Sequence, residues 1–200
     1  MNKKYGFTLV ELIVVLAIIA ALVGILIAVI KPQQIFARLR DTQRSSDLNN
    51  LSRAIEIYLT EFAQSPSSIR LARPDNTRCF GGTATTVYYS VATSGALPFG
   101  GAVATGNTST AVDGTGWLPV PLSSSTMVQL AQLPLDPRND YASRFYYTYA
   151  CKVPSYTYEL NANLEVMTDT AANDGGNASG LLEVGPDKTI LPAPQPGFYQ

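Results

Sequence analysis

MNKKYGFTLVELIVVLAIIAALVGILIAVI, residues 1–30, decides how this chain is read. From Leu12 to Ile30 no side chain is polar. Extended back to Phe7, the run is long enough to cross a bilayer as a helix, which takes roughly 20 apolar residues. Lys3 and Lys4 precede it, so the short N-terminus is expected on the cytoplasmic side and the remainder outside. Glu11 interrupts the pattern, and an ionisable residue inside a membrane helix points to function. An ordinary secretory signal has a shorter apolar core and a small-residue cleavage site. Ala20-Ala21 imitates such a site, but the apolar run continues through Ile30. A plain single-pass anchor explains the length and leaves Glu11 without a purpose.

Gly6-Phe7-Thr8-Leu9-Val10-Glu11, set between a short basic leader and the apolar run, resembles the class III signal of type IV pilins and type II secretion pseudopilins. The resemblance covers residues 1 to about 62. It implies that a membrane-embedded prepilin peptidase cuts after Gly6 on the cytoplasmic face. Phe7 then becomes the mature, N-methylated terminus, and Glu11 is the assembly carboxylate. The chemistry is consistent on its own terms. Glycine lets a backbone approach an active site closely. Cleavage creates an α-ammonium at the end of an apolar helix, and a buried ammonium and carboxylate are tolerable only as a pair. One helical turn, ~6 Å, separates Glu11 from its own amine, so Glu11 can reach the amine of a neighbour displaced axially by that distance. The pair would set the register of stacked helices.

The composition fits one exported domain on an anchor. Charged residues are only 14%, net charge is −1, and there are 11 Tyr and 7 Phe to build a core. Histidine is absent, which removes His-based triads and the commonest metal ligand. No Walker loop, nucleophile elbow or Cys/His metal spacing is present, so no catalytic residue is assigned. Two cysteines in an exported chain favour a disulfide, Cys79 with Cys151. Residues 31–78 carry eight Lys/Arg against five Asp/Glu, and residues 79–200 four against nine. Solvated faces account for this, as does charge pairing between neighbouring subunits.

Along the chain, Lys31-Pro32 marks the membrane exit, with a kink rather than a stop. Ile35, Leu39, Leu48, Leu51, Ile55, Leu59 and Phe62 recur at helical spacing. Arg38, Arg40, Arg44, Arg53 and Glu56 decorate the other faces, Thr42 to Ser46 form an exposed neck, and Ser65-Pro66 ends the helix. Turn signals follow at Arg73-Pro74 and Gly81-Gly82. Residues 86–91 read as a strand, Gly95 to Gly116 as a flexible surface loop, and Trp117 to Leu122 as a return to the core. Gln129 to Pro134 reads as a helical turn. Phe145 to Cys151 and Tyr156 to Leu164 form a hairpin, Asp169 to Gly180 a polar loop, and Leu181 to Val184 an edge strand before a proline-rich tail at 192–200. The domain plan is a leader at 1–6, a transmembrane and assembly helix at 7–30, its amphipathic half at 31–65, and an exported domain at 66–200. The fold class is α+β, a long helix on a small antiparallel sheet, as the pilin resemblance also implies.

Two further constellations invite a ligand. Asp169, Asn173 and Asp174 offer oxygens of the kind calcium takes, as does the Asp136/Asn139/Asp140 cluster, although turn chemistry explains the same residues without a metal. Tyr88, Tyr89, Tyr146, Tyr147, Tyr149, Tyr156 and Tyr158 suggest a stacking platform for carbohydrate or single-stranded DNA, but strand alternation sends about half into a core.

The function implied is a structural subunit of a type IV pilus-like filament, not an enzyme. The alternative is a minor pilin whose exported domain binds surfaces, carbohydrate or DNA at a filament tip. Expected partners are copies of itself and other pilins, the prepilin peptidase, the pilus or secretion assembly platform, and membrane lipid before assembly. Expected location is the cytoplasmic membrane, then a cell-surface or periplasm-spanning filament.

Overall fold

The computed structural model describes residues 6–72, 75–82, 85–92, 98–99 and 102–194. Most of the leader, the Arg73-Pro74 turn, part of the 95–116 stretch and the end of the proline-rich tail lie outside the described residues. The chain divides into two units, one ending at Ala37 and one beginning at Arg38.

In the first unit, helix α1 spans Leu9–Ile30. Its 19-residue stretch Leu9–Ile27 has mean hydropathy 3.1 and no buried side chain within the chain itself. Among the described residues it is the one helix long and apolar enough to cross a membrane. The helix stops at Lys31, which takes a left-handed conformation (φ 46°, ψ 68°). Helix α2, Pro32–Glu61, restarts immediately. The expected kink is therefore a break. Pro32 has no N–H to continue the ladder and disfavours helical geometry at the residue before it, while its fixed φ suits the first position of a new helix.

In the second unit, five strands form one sheet: β1 Thr86–Tyr89, β2 Val103–Gly106, β3 Tyr147–Lys152, β4 Thr157–Asn163 and β5 Leu181–Val184. Their spatial order is β2-β1-β3-β4-β5. The β1–β3, β3–β4 and β4–β5 pairs are antiparallel. β2 lies parallel to β1 at the edge, so the stretch read as loop contributes a strand. β-Branched and aromatic residues fill β1 and β3, as a pleated buried surface favours.

Tyr147, Tyr149 and Cys151 on β3, with Tyr158, Leu160 and Ala162 on β4, join Leu48, Leu51, Ile55 and Tyr58 of α2 in the larger core. The opposite face is also covered. Val87, Tyr89, Tyr146, Ala150 and Leu181 pack with Phe99, Ala178, Ile190 and Leu191. A sheet buried on both faces loses the polar–apolar alternation of an open one, which explains five consecutive buried residues in β3. The disulfide Cys79–Cys151 ties the segment before β1 to the end of β3, with Cα atoms 4.8 Å apart. Phe80 donates to the Cys151 carbonyl at 2.7 Å, and Val153 donates back to Phe80 at 2.8 Å.

Three local readings change. The helix ends at Glu61, not Ser65. Residues 129–134 are not helical; the helical turn is at Leu122–Ser124, where Ser125 N–H caps the Leu122 carbonyl. The polar stretch from Asp169 contains a short helix α3, Thr168–Ala172, whose Ala171 is buried.

Candidate functional site: the N-terminal helix and its carboxylate

Thr8 is the N-cap of α1 and Glu11 its third helical residue. The Glu11 N–H donates to Thr8 Oγ1 at 3.3 Å, while Glu11 Oε2 accepts the Thr8 N–H at 2.8 Å and the Thr8 hydroxyl at 2.9 Å. This reciprocal capping box satisfies helix-end donors that otherwise have no partner. Glu11 thus has a local role within its own chain, ordering the start of α1 directly after Gly6-Phe7. A carboxylate held there sits at the positive end of a helix, about one turn along the chain from Phe7. Around it the helix presents an apolar surface, with Leu9, Val10, Leu12 and Ile13 all more than half exposed.

The other sequence candidates resolve differently. Asp174 Oδ1 accepts from Gly176 N–H at 2.8 Å, and its Oδ2 accepts from Glu183 N–H at 2.6 Å. The Lys188 ammonium donates to the Asp174 carbonyl, and Asn173 turns its amide to the Asp169 carbonyl at 2.7 Å. The Asp174 carboxylate and the Asn173 amide therefore serve loop contacts, to which Asp169 lends its backbone carbonyl. Among the described residues no group of three His, Cys, Asp or Glu side chains is arranged to hold a metal ion. The Asp136/Asn139/Asp140 cluster also disperses: Asp136 binds arginine, Asn139 bonds Ser90 at 2.9–3.0 Å, and Asp140 caps the turn at Ala142 and Ser143. The tyrosine platform is not exposed. Tyr88, Tyr89, Tyr146, Tyr147, Tyr149 and Tyr158 are all at most 4% accessible and belong to the core, while Tyr156 is half-buried against it.

A buried charge network lies where the exposed neck was expected. Arg44 is fully buried. It makes a two-pronged contact with Asp136 (Nε–Oδ2 2.6 Å, Nη2–Oδ1 3.0 Å), and its Nη1 donates to Asp41 and Glu165 at 2.8 Å each. The planar fork of arginine matches a carboxylate in this way. The Arg44 and Arg138 guanidinium groups both stand over the Phe145 ring, 4.6 and 4.5 Å from its centroid. Asp41 accepts the backbone amides of Glu165, Val166 and Met167. Hydrogen bonding from Arg40, opposed by burial and aided by Arg44, holds the Glu165 carboxyl down at about 2. Burial alone would lower the Arg44 pKa; its hydrogen bonds and charge contact with Asp136, then with Glu165 and Asp41, raise it instead. The opposite charges of residues 31–78 and 79–200 thus meet in part within one chain. Helical periodicity assigns Arg44 to the solvent side; the available signal was Asp41 three residues earlier, on the same helical face.

Comparison with curated proteins returned no match, and comparison with solved structures returned none. The family model described as the prokaryotic N-terminal methylation motif matches residues 1–27. With its apolar helix and Glu11, the N-terminal segment of this chain carries that motif and matches the class III signal of pilins and pseudopilins.

Proposed function

We propose that this chain is a structural subunit of a type IV pilus-like filament, a pilin or pseudopilin that polymerises through α1 after cleavage between Gly6 and Phe7. The observation that carries the reading is α1 itself: 19 residues of mean hydropathy 3.1 with no buried side chain, bearing a single carboxylate one turn from the cleavage junction. Such a surface needs lipid or copies of itself to cover it. Lipid accommodates the apolar residues but gives no counter-ion to Glu11, whereas a neighbouring subunit supplies both the apolar cover and an ammonium. Before assembly the chain is anchored in the cytoplasmic membrane with residues 66–200 exported. The prepilin peptidase and an assembly platform are its processing partners. Six of the seven tyrosines that suggested a binding platform are buried, which favours the structural role over the tip-binding one.

The test is mass spectrometry of filaments sheared from cells, with electron microscopy of the same sample. The chain should be a repeating subunit whose N-terminal peptide begins at Phe7 with one added methyl group. Filaments that lack the chain, or a chain starting at Met1 or near Ala21, would overturn the proposal.

A further inference from the structure

On the sheet face away from α2, one cross-strand row is polar: Thr148 on β3 pairs with Asn161 on β4, which pairs with Glu183 on β5. Glu159 lies two residues before Asn161 and so points to the same face. All four are at most 2% accessible. The stretches flanking β5, residues 174–180 and 187–191, cover them. Ala178 N–H donates to Glu183 Oε2 at 2.7 Å, Leu191 N–H donates to Glu159 Oε2 at 2.9 Å, and Asn177 Nδ2 donates to the Leu191 carbonyl at 2.9 Å. At Gly176 the backbone lies so close that an added Cβ would stand 2.0 Å from Glu183 Oε2.

Donors run short beneath these stretches. The Asn161 amide gives a hydrogen to Glu159 Oε1 at 2.9 Å. Asn161 Oδ1, Glu183 Oε1 and Thr148 Oγ1 are buried with no hydrogen-bond partner. Exchanging the amide oxygen and nitrogen of Asn161 moves the shortage to Glu159 rather than ending it. Nor is there a cation to balance two buried carboxyls. Lys188 is on the Asp174 carbonyl, Lys152 pairs with Asp187 at 3.1 Å, and among the described residues neither Glu159 nor Glu183 has an ion pair. Asp174, whose Oδ2 takes the Glu183 amide, adds negative charge. Tyr89 and Tyr146 on the same face are in the apolar core. A buried, unpaired carboxylate is costly enough that such a group keeps its proton instead.

We propose that Glu159 and Glu183 share one proton that fastens the stretches flanking β5, residues 174–180 and 187–191, over the sheet. A hydrogen on Glu183 Oε1 turns an orphaned acceptor into a donor toward the neighbouring Glu159 carboxyl, the side-chain partner with which Glu183 interacts. Loss of that proton leaves two carboxylates buried beside an unpartnered amide oxygen, and the covering stretches detach to expose them to solvent. Burial, despite hydrogen bonds from Leu191 and Asn161, pushes Glu159 up to about 7, and burial likewise raises Glu183.

The sign follows. The closed form holds a proton that the open form releases, so the cover is tightest below about pH 4.5, the ordinary glutamate value. Its opening constant should rise by at most about tenfold per pH unit from about pH 5 to 7 and level off above. Amide hydrogen exchange on the full chain in detergent micelles, corrected for intrinsic base catalysis, reads this at Ala178, Leu181 and Leu191. Protection there should fall about 40-fold between pH 5 and 7, with the β3–β4 amides unchanged. In E159Q/E183Q the amides supply permanent donors and the profile should be flat. If that variant fails to fold, carbon-13 titration of the wild-type carboxyls decides: one titrating near 7 supports the proposal, and both titrating near 4.5 overturns it. A flat wild-type profile, an unchanged slope in the double variant, or restored protection on adding calcium chloride at pH 7.5 would each overturn it as well, the last by showing a cation where a proton is required.

Discussion

Replacing Arg44 with methionine would remove the centre of the buried charge network while keeping an unbranched side chain against Phe145. Asp136, 4% accessible, would lose two charge-assisted hydrogen bonds and keep the backbone amides of Arg138 at 2.8 Å and Asn139 at 3.4 Å. Asp41 would lose one contact and retain three amides from residues 165–167. The loss therefore falls mainly on Asp136, and breaking one side of a buried pair costs about 3–5 kcal/mol. At ~2–4 °C per kcal/mol for a chain of this size, the unfolding midpoint should drop by about 10 °C. Adding Asp136→Asn removes the stranded charge and should return about 2 kcal/mol, consistent with the whole pair being near neutral against an uncharged replacement. Thermal unfolding of the full chain in detergent, followed by near-ultraviolet circular dichroism, measures both steps. An Arg44→Met variant within ~1 kcal/mol of wild type, or a double variant no more stable than the single one, would refute this account of the network.

Tyr158→Phe removes a buried hydroxyl that donates to the Ser52 carbonyl at 2.9 Å and lies 2.8 Å from the Ser52 hydroxyl; urea unfolding should show a loss of about 1–2 kcal/mol. Cys79→Ser/Cys151→Ser opens a 72-residue separation and should cost up to about 4 kcal/mol by chain entropy, read as a lower denaturation midpoint with the fold retained. Glu165, held at about 2, contributes stability that is complete above its ordinary 4.5 and is lost as pH falls from 4.5 toward 2. A Glu165→Gln variant should lose that acid-side slope in urea midpoints taken at successive pH values.

Much of the fold is legible in the sequence because its signals are local. The apolar run gives α1, and the aromatic-rich stretches on either side of Pro154 give the β3–β4 hairpin. The Lys31 break hides behind a helical pattern that continues on both sides of Pro32. β2 lacks a signal because Val103–Gly106 is a short, partly exposed edge strand in a Gly- and Ala-rich stretch. Arg44, Glu159 and Glu183 are misplaced by any rule that keeps charges outside, since their burial depends on partners up to 121 residues away or on a covering segment with no periodicity. The N-terminal site is the opposite case: Gly6, Phe7, Thr8 and Glu11 lie within six residues, and the Thr8–Glu11 capping geometry needs no distant partner.

Glu11→Gln tests the central claim most directly. Glutamine serves at the third position of a capping box as glutamate does, so the Thr8 contacts and the start of α1 should persist while the charge disappears. Membrane insertion and cleavage after Gly6 should proceed, and filaments counted by electron microscopy should be absent or short, because the neighbouring Phe7 ammonium would be buried without its counter-ion. Normal filament number and length in the Gln variant, with cleavage intact, would contradict polymerisation through this carboxylate.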